Sequence, residues 1–392
     1  MDSLERSGSP LVSAVTSKIA EMIRTGTLAE GQGLPSERKL STDFAVSRGV
    51  VRSSIKELTD LGLIEAKPRC RPVVSPHRSN STTTTTSNGR RHICIWLWPN
   101  SGDYSGVSIL KGIQSTKLAA DVRLIIGHAS GLDWESRWNS EAAFLRGLAE
   151  DPDDAGAIIW YLGGERNRKE LEAVREAGIP TVFIDRLPPE GFAADFVGTN
   201  NFSAAKAAAE HLLNFGHRRI ALITNMDPVS SVRERESGFH FALQTAGIVP
   251  DPALIQRDSI DEPEGIEAAL DALFALESPP TAVFCINDQM ALQVYEALQK
   301  RGMSIPEDVS VLGFDGLLRW IPGGGYLTTM CQDFTRIGQL AAEVVLERML
   351  NPRPPAFTHY LLDAPLLSQG STAPLVAAKT FKPRPSSAVF PH

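Results

Sequence analysis

Apolar residues recur every three or four positions near the start of the chain, which is the spacing of one face of an α-helix. Leu11, Val15, Ile19 and Met22 form this face, and Gly26 then supplies a helix stop signal. The pattern predicts an amphipathic first helix.

Two further helices follow before residue 62. A short one is predicted from Pro35-Ser36 to about Phe44, and a third begins after Ser47, a residue type that caps helix N-termini well. Gly62 ends the third helix, whose apolar face consists of Val51, Ile55 and Leu58. Leu63-Ile64 and Val73-Val74 then predict two short strands. Three helices and a two-stranded wing form a winged helix-turn-helix, whose third helix enters the major groove of DNA.

A stretch of Ser, Thr and Asn between residues 79 and 89 has no apolar residue to bury, so it predicts a flexible linker. The stretch from about residue 377 is rich in Pro and Ser and predicts a loose tail. The expected domains are a winged helix-turn-helix over residues 1–76, a linker over 77–91, a two-lobed effector-binding and dimerisation domain over 92–376, and a tail over 377–392.

After the linker, short apolar runs alternate with amphipathic helices, which predicts parallel sheets with helices on both faces. The region is too long for one compact sheet, so the predicted fold class is α/β with two lobes of parallel sheet. The predicted strands are Ile93–Trp98, Val122–Ile126, Ala157–Tyr161, Thr181–Ile184, Ile220–Thr224, Ala282–Ile286 and Val309–Gly313, and the predicted helices are Ser203–Asn214, Gly265–Leu276 and Met290–Lys300.

The net charge of −7 is unevenly distributed. Residues 1–91 carry fourteen Lys and Arg against nine Asp and Glu, so the first part is basic and the rest is strongly acidic. This distribution suits a protein that contacts phosphate at one end only. No apolar run approaches the length of a membrane span, and residues 1–10 lack a signal-peptide core. We therefore expect a cytoplasmic protein, with reduced cysteines and no membrane partner.

Sequence motifs of common enzymes are missing: there is no phosphate-binding GxGxxGK[ST] loop, no HExxH and no GxSxG. The four cysteines form no CxxC pair. We expect no catalytic residue, no cofactor and no metal site.

The third helix carries the residues best suited to DNA. Arg48 and Arg52 are four positions apart and share one helix face, opposite the apolar face. An Arg can bind guanine through O6 and N7, and Ser47 with the helix N-terminus can hold a phosphate. The alternative is an ordinary solvated helix face.

Three ordered motifs resemble the GntR-type DNA-binding domain: LPSERKL at 34–40, VSRGVVR at 46–52 and LTDLGLI at 58–64. The resemblance implies DNA contacts from the second and third helices, so the candidates are Arg38, Lys39, Ser47, Arg48 and Arg52. The family wing has a Gly-rich turn, whereas this chain has KPRCRP at 67–72. The wing is therefore expected to use Arg69 and Arg71 for phosphate or minor-groove contact.

Ligands of open α/β sheets bind beyond the carboxyl ends of the strands. Polar and aromatic residues follow several predicted strands here, and together they suit the hydroxyls and apolar ring faces of a sugar. The candidates for effector binding are Tyr104, Tyr161, Asp185, Ser231, Arg235, Asn287 and Asp315. Each has an alternative role: Asp315 as a helix cap, Arg235 in a surface ion pair, and the nearby Trp98 and Trp160 as core residues.

Motifs across about residues 92–370 resemble the effector domain of LacI/GalR regulators, which is similar to periplasmic sugar-binding proteins. They include HLLNFGHRRIA at 211–221, RESGF at 235–239, NDQMAL at 287–292, GFD at 313–315 and LTTM at 327–330. The resemblance implies that Asp185, Arg235, Asn287 and Asp315 line the effector cleft. The family commonly has Asp-Asn where this chain has TNN at 199–201, which puts a local contact in doubt.

A GntR-type head on a LacI-type body resembles the arabinose-repressor type of regulator. The resemblance implies a pentose or another plant-derived sugar as effector. We expect a homodimer that binds a palindromic double-stranded DNA operator through its two heads and is released by this small sugar-like effector. An activator or a corepressed regulator is the alternative within this class. The alternative outside it is a sugar-binding protein without a regulatory role, which leaves the basic head unexplained.

Overall fold

The structure is a computed structural model. It describes residues 12, 15–16, 18–19, 22, 28, 31–44, 46–60, 64–65, 71–74, 92–97, 105–116, 122–128, 133–152, 155–226, 229–258, 263–317, 326–351 and 356–375. The chain divides into two compact units, Met1–Thr86 and Ser87–His392. The expected linker and tail lie outside the described residues, as do Arg69, Trp98 and Tyr104, and the proposed domain bounds stay predictions.

The first unit has a small apolar core beneath its helices. Its first helix includes the buried Val15 and Ile19, and it is followed by α1 (Glu37–Asp43) and α2 (Arg48–Asp60). Ser36 caps α1, because its Oγ accepts a hydrogen bond of 3.2 Å from the backbone N–H of Lys39. The core consists of Val15, Ile19, Leu28, Leu34, Leu40, Val51, Leu58, Ile64 and Val74.

The wing is a two-stranded antiparallel sheet of β1 (Ile64–Glu65) and β2 (Val73–Val74). An isolated bridge between Gly33 and Val73 extends it toward the segment before α1. The backbone N–H of Leu34 also donates to the carbonyl of Pro72 at 2.8 Å. The wing is thus joined to the turn that precedes the helix-turn-helix.

The second unit contains two six-stranded sheets flanked by helices. Its strands are β3 (His92–Leu97), β4 (Arg123–His128), β5 (Ala155–Ile159), β6 (Thr181–Ile184), β7 (Asp195–Thr199), β8 (Ile220–Asn225), β9 (Ile255–Asp258), β10 (Ala282–Cys285), β11 (Ser310–Asp315), β12 (Thr328–Cys331), β13 (His359–Leu362) and β14 (Leu366–Leu367). Its helices are α3 (Ser105–Ser115), α4 (Trp134–Glu150), α5 (Arg168–Glu176), α6 (Asn201–Asn214), α7 (Ser230–Thr245), α8 (Pro263–Phe274), α9 (Asp288–Lys300) and α10 (Phe334–Leu350), with a 3-10 turn at Pro252–Leu254.

The two sheets have the same strand order. The first lobe runs β4-β3-β5-β6-β7-β13, and all its pairs are parallel. The second runs β9-β8-β10-β11-β12-β14, and only its last pair, β12 with β14, is antiparallel. In parallel sheets the carboxyl ends of the strands share one edge, which gathers the residues that follow them.

The chain crosses between the lobes after β7, after β12 and after β13, so α10 returns to the first lobe. There α10 packs closely on α3: a Cβ at Gly112 would lie 1.9 Å from the carbonyl oxygen of Thr335, and one at Gly338 would lie 2.1 Å from that of Ile109. Only glycine allows the two backbones to approach in this way.

The prediction of two parallel-sheet lobes is confirmed, and each of the seven predicted strands lies within two residues of an observed one. The strands β7, β9, β12, β13 and β14 were not predicted. Among the described residues, no helix has the length and apolarity required to cross a membrane.

Candidate functional site

The structure places the predicted DNA-binding residues of the first unit on its surface. Arg38, Lys39, Ser47, Arg48 and Arg52 are all exposed. The Ser47 hydroxyl accepts a hydrogen bond of 3.3 Å from the N–H of Val50, so it caps α2 as its sequence position indicates.

Arg52 forms an ion pair with Glu37 of α1, with 2.8 Å between Nε and Oε2. Both side chains are well exposed, at 67% and 39%, so the pair contributes little stability and can exchange for a phosphate or a base edge. The ion pair places the Arg52 side chain of α2 beside α1 without burying it.

Arg71 differs from these helix arginines because its Nε donates a hydrogen bond to the carbonyl of Leu34. Its side chain also packs within 3.3 Å of the position that a Cβ would take at Gly33. Arg71 therefore connects the wing to the segment before α1, and the residue stays exposed.

In the second unit, two aspartates lie at the carboxyl edges of the two sheets, one on each lobe. Asp185 follows β6 of the first lobe with φ of 60°, and Asp315 ends β11 of the second lobe with φ of 119°. Non-glycine residues seldom adopt positive φ, and where they do the strain is often associated with function. Both residues are sequence-predicted cleft residues.

Arg235 of α7 lies at the centre of this cleft. Its Nη1 lies 3.2 Å from Oδ1 of Asp315 and donates to the carbonyl of Ile286 at 2.8 Å. Its Nε donates to Oδ1 of Asn201 at 2.8 Å, and its guanidinium lies 3.8 Å from the centroid of the Phe314 ring. Only 5% of the Arg235 side chain is exposed, so these contacts fix its position.

Gln332 joins the two lobes at the cleft. It lies just after β12, and its Nε2 donates to Oδ1 of Asp315 at 2.7 Å. Its Oε1 accepts a hydrogen bond of 2.5 Å from the Thr199 hydroxyl at the end of β7. One side chain thus links the second-lobe carboxylate to the first-lobe sheet.

The first-lobe carboxylate has different partners. The Trp160 indole donates to Oδ2 of Asp185 at 3.0 Å, and Arg186 lies 3.9 Å from the same oxygen. Arg186 also donates to the carbonyl of Leu162 at 3.2 Å, which ties the end of β6 to the loop after β5.

Burial raises the pKa of Asp315, and the neighbouring Asp288 and Asp185 act in the same direction, whereas the ion pair with Arg235 and the hydrogen bond from Gln332 lower it and favour the charged carboxylate. Burial also raises the pKa of Glu234, which accepts a hydrogen bond of 3.3 Å from Asn201. The cleft therefore combines several largely buried carboxyl groups with two arginines, Arg235 and Arg186.

Two further candidates lie beside the cleft on the second lobe. Asn287 caps α9, because its Oδ1 accepts a hydrogen bond of 2.8 Å from the N–H of Met290. Ser231 is buried in the first turn of α7. Its neighbour Ser230 accepts a hydrogen bond of 2.9 Å from the N–H of Leu187, a second contact between the lobes.

Comparison with known proteins fits this architecture. The model of the bacterial regulatory proteins of the gntR family matches residues 11–74, and that of the periplasmic binding protein-like domain matches residues 209–372. The chain is 32% identical over 241 residues to the HTH-type transcriptional repressor PurR of Vibrio atlanticus (strain LGP32), covering 62% of this chain and 70% of the relative. The chain belongs to the LacI-type transcription regulators.

Further relatives of this regulator include the ribose operon repressor of Haemophilus influenzae, 35% identical over 197 residues, or 50% of this chain and 58% of that protein. A LacI family transcriptional regulator from Enterococcus faecium, solved with bound ribose, has a TM-score of 0.61 and 27% identity over 73% of this chain and 100% of that one. The CelR–cellobiose complex, at 20% identity and a TM-score of 0.60 over 86% of this chain and 100% of that one, shows the same fold. The protein is a DNA-binding transcription regulator and not an enzyme.

One predicted cleft residue of the regulator needs correction. Tyr161 is fully buried in the core of the first lobe, where its ring packs edge-on against Phe183 with centroids 6.0 Å apart. Its hydroxyl donates to the carbonyl of Gly164 at 2.8 Å. Because neighbouring residues of an extended chain point to opposite sides, Trp160 contacts Asp185 and Tyr161 points away from it.

Two residues that organise the regulator's cleft, Asn201 and Gln332, were missed by sequence reasoning. Each follows a strand that was not predicted, β7 and β12 respectively. A search for polar residues after strand ends would have found both once those strands were known.

Proposed function

We propose that this regulator is a repressor, which binds a palindromic operator as a homodimer and is released by a small sugar-like effector held between its lobes. The observation that carries the proposal is the hydrogen-bonded set of Arg235, Asn201, Asp315 and Gln332 at the carboxyl edges of the two sheets, in which Arg235 and Asn201 are buried. The cytoplasm, where the operator DNA lies, is the expected location.

The polar groups of the cleft favour a neutral, hydroxyl-rich ligand. Arg235 is already neutralised by Asp315, so a strongly anionic effector would find little free positive charge there. Carboxylate and amide groups such as those of Asp185 and Gln332 hydrogen-bond well to hydroxyls. Ribose is the first candidate, because a relative is named a ribose operon repressor and a similar structure contains ribose.

Release from DNA would follow from a shift between lobe arrangements. A ligand changes DNA affinity only by the difference in its own affinity for the two arrangements. Contacts that join the lobes, from Leu187 to Ser230 and from Thr199 to Gln332, are formed in the arrangement described here. An effector that bridges Asp185 and Asp315 would favour the arrangement that retains them.

A thermal-shift screen against free and phosphorylated monosaccharides and disaccharides tests the effector. A ligand at 100 times its Kd adds about 2.7 kcal/mol to the free energy of unfolding, which is enough to detect. We expect one sugar class to raise the Tm of the wild-type protein and of the control Asp271→Asn, whose carboxylate is 75% exposed on α8. Asp315→Asn should need at least about tenfold more sugar, the effect of roughly 1.4 kcal/mol. No shift with any sugar contradicts the sugar proposal.

The DNA-binding part of the proposal is tested by fluorescence anisotropy with a DNA fragment that the wild-type protein selects in vitro. Arg48→Ala should weaken binding about tenfold to a hundredfold, because one arginine–guanine contact contributes about 1–3 kcal/mol. Arg123→Ala, an exposed change on β4, should leave binding unchanged. If the sugar tightens binding instead of weakening it, the protein is a corepressed regulator and the release proposal is wrong.

A further inference from the structure

A second cavity lies in the first lobe, on the edge of the sheet opposite the effector cleft. Its volume is about 240 Å³, and it borders Thr181 and Asp195, the first residues of β6 and β7. Asp185 of the cleft follows the other end of β6. A four-residue strand separates the two places by roughly 13 Å along the sheet.

The walls of this cavity are mainly apolar. Ile179, Pro180, Phe192 and Ala194 line it, and Phe357 stands at it with 52% of its surface exposed. An exposed phenyl ring beside a cavity is a surface that a second apolar group can cover favourably. A dry cavity of about 150 Å³ accommodates benzene, so this one has room for a single ring with a small substituent.

The charged groups of the cavity leave one positive charge in excess. Arg348 forms a double hydrogen bond with Asp195, at 2.8 Å for each nitrogen–oxygen pair, and these two charges cancel. Arg175 is the third charged group, and its guanidinium lies 4.9 Å from the centroid of the Phe192 ring. Within the part of the chain that the structure describes, no carboxylate forms an ion pair with Arg175.

We propose that this cavity is a second ligand site, for a small anion with an aromatic or branched apolar body of about one ring. The apolar walls and Phe357 would receive the body, and Arg175 would bind the carboxylate or phosphate. The site is separate from the effector cleft, and its existence does not depend on which molecule the cleft binds.

Isothermal titration calorimetry of the full-length protein tests this site with three probes that share one ring. Phenylacetate supplies the anion, phenylacetamide is its neutral isostere, and phenethylamine carries the opposite charge. We expect phenylacetate to bind at least tenfold more tightly than phenylacetamide, and phenethylamine to bind most weakly. Saturating ribose should not displace phenylacetate, because the two sites lie at opposite ends of β6.

Three variants locate the binding. Arg175→Gln should weaken phenylacetate binding at least tenfold, to the level of phenylacetamide, whereas Lys169→Gln, the same charge change at an exposed position of α5, should have no effect. Ala193→Trp adds an indole at an exposed residue of the cavity wall and should abolish binding of every probe. Unchanged melting temperatures of these variants exclude unfolding as the cause.

The proposal is overturned if no probe binds, or if phenylacetate and phenylacetamide bind equally well. Equal loss of phenylacetate binding in Arg175→Gln and Lys169→Gln would also overturn it, because that result assigns the preference to overall charge. Phenyl phosphate, titrated beside phenylacetate, then distinguishes a phosphate ligand from a carboxylate ligand by which of the two Arg175→Gln weakens more.

Discussion

The two lobes place an aspartate at the same point of the same sheet plan. Asp185 follows β6 and Asp315 ends β11, and these strands hold equivalent positions in the two strand orders. Among the described residues, these two are the non-glycine residues with positive φ. Their partners differ: Asp185 accepts from the Trp160 indole, whereas Asp315 faces Arg235 and Gln332.

The difference teaches that a shared backbone plan can produce two chemically distinct carboxylates. Asp185 accepts a hydrogen bond from the Trp160 indole and has Arg186 at 3.9 Å, whereas Asp315 is paired with the buried guanidinium of Arg235 at 3.2 Å and accepts from Gln332. A ligand between the lobes would therefore meet a carboxylate with a distant cation on the first lobe and a carboxylate with closely held partners on the second.

A second parallel concerns the loops behind these strand ends. In the first lobe, buried Glu141 of α4 accepts hydrogen bonds from the N–H of Leu162 at 2.8 Å and from Asn167 at 2.7 Å. In the second lobe, buried Asp288 accepts from the N–H of Leu317 at 2.8 Å. Each lobe thus holds one loop beside the cleft with a carboxylate from a neighbouring helix.

The largest expected effect comes from removing the second lobe's arginine. Arg235→Met should lower the free energy of unfolding by about 3–5 kcal/mol, because it leaves a buried carboxylate without its partner. Urea denaturation measures the loss. The control is Arg336→Met on α10, which breaks the 3.4 Å pair with Glu343, whose two side chains are 41% and 40% exposed, and should cost about 1 kcal/mol or less. Equal losses would contradict the assignment of Arg235 as the buried centre.

The next largest effect is a pH dependence of the free energy of unfolding that arises in the first lobe. Burial raises the pKa of Glu141 from 4.5 to about 7, so folding favours the protonated carboxyl. Stabilisation that is complete below pH 4.5 is therefore lost as the pH rises toward 7, by about 3 kcal/mol at roughly 1.4 kcal/mol for each pH unit. Glu141→Gln should remove this part of the dependence. Identical pH profiles for the two proteins would show that Glu141 does not titrate on folding.

The smallest effect probes the contact between the lobes. Ser230→Ala removes the acceptor for Leu187 and should weaken effector binding by up to about fivefold, since one neutral hydrogen bond contributes about 1 kcal/mol. Ser237→Ala is the control on the same helix, because its exposed hydroxyl donates within α7 to the carbonyl of Arg233. Titration with the sugar that stabilises the wild-type protein measures the affinity of both variants. Equal affinities would show that the contact between Leu187 and Ser230 does not contribute to lobe closure around the effector.

Sequence reasoning found the strands that form continuous apolar runs. It missed the edge strands β9, β13 and β14, and also the interior strands β7 (DFVGT) and β12 (TTMC), which contain polar residues. Central strands such as β5 and β10 are fully buried and therefore form continuous apolar runs. The edge strand β13 alternates exposed and half-buried residues, and β9 has the mixed sequence IQRD, so neither forms an apolar run.

Sequence reasoning identified residues of the candidate site where it had also predicted the strands that precede them. Asp185, Arg235 and Asp315 were predicted from strand ends and family resemblance, and the structure brings them together. Tyr161 was misplaced because the end of β5 was set two residues too late, at Tyr161 instead of Ile159. Gln332 contacts Thr199, 133 positions away, and Asn201 contacts Arg235, 34 positions away, so neither partnership leaves a local pattern in the sequence.

The return of α10 to the first lobe sets an order of events during synthesis on the ribosome. Ile95 and Ile158 of the first-lobe sheet share a core with Ile337 and Val345 of α10, and β13 completes that sheet at β7. The lobe whose strands emerge first therefore waits for residues 334–362 before it can close its core. Most of the second lobe is synthesised within that interval. The lobe that begins first therefore still lacks its last helix and strand when the other is nearly complete, and its uncovered face is the part of the nascent chain with most need of a chaperone.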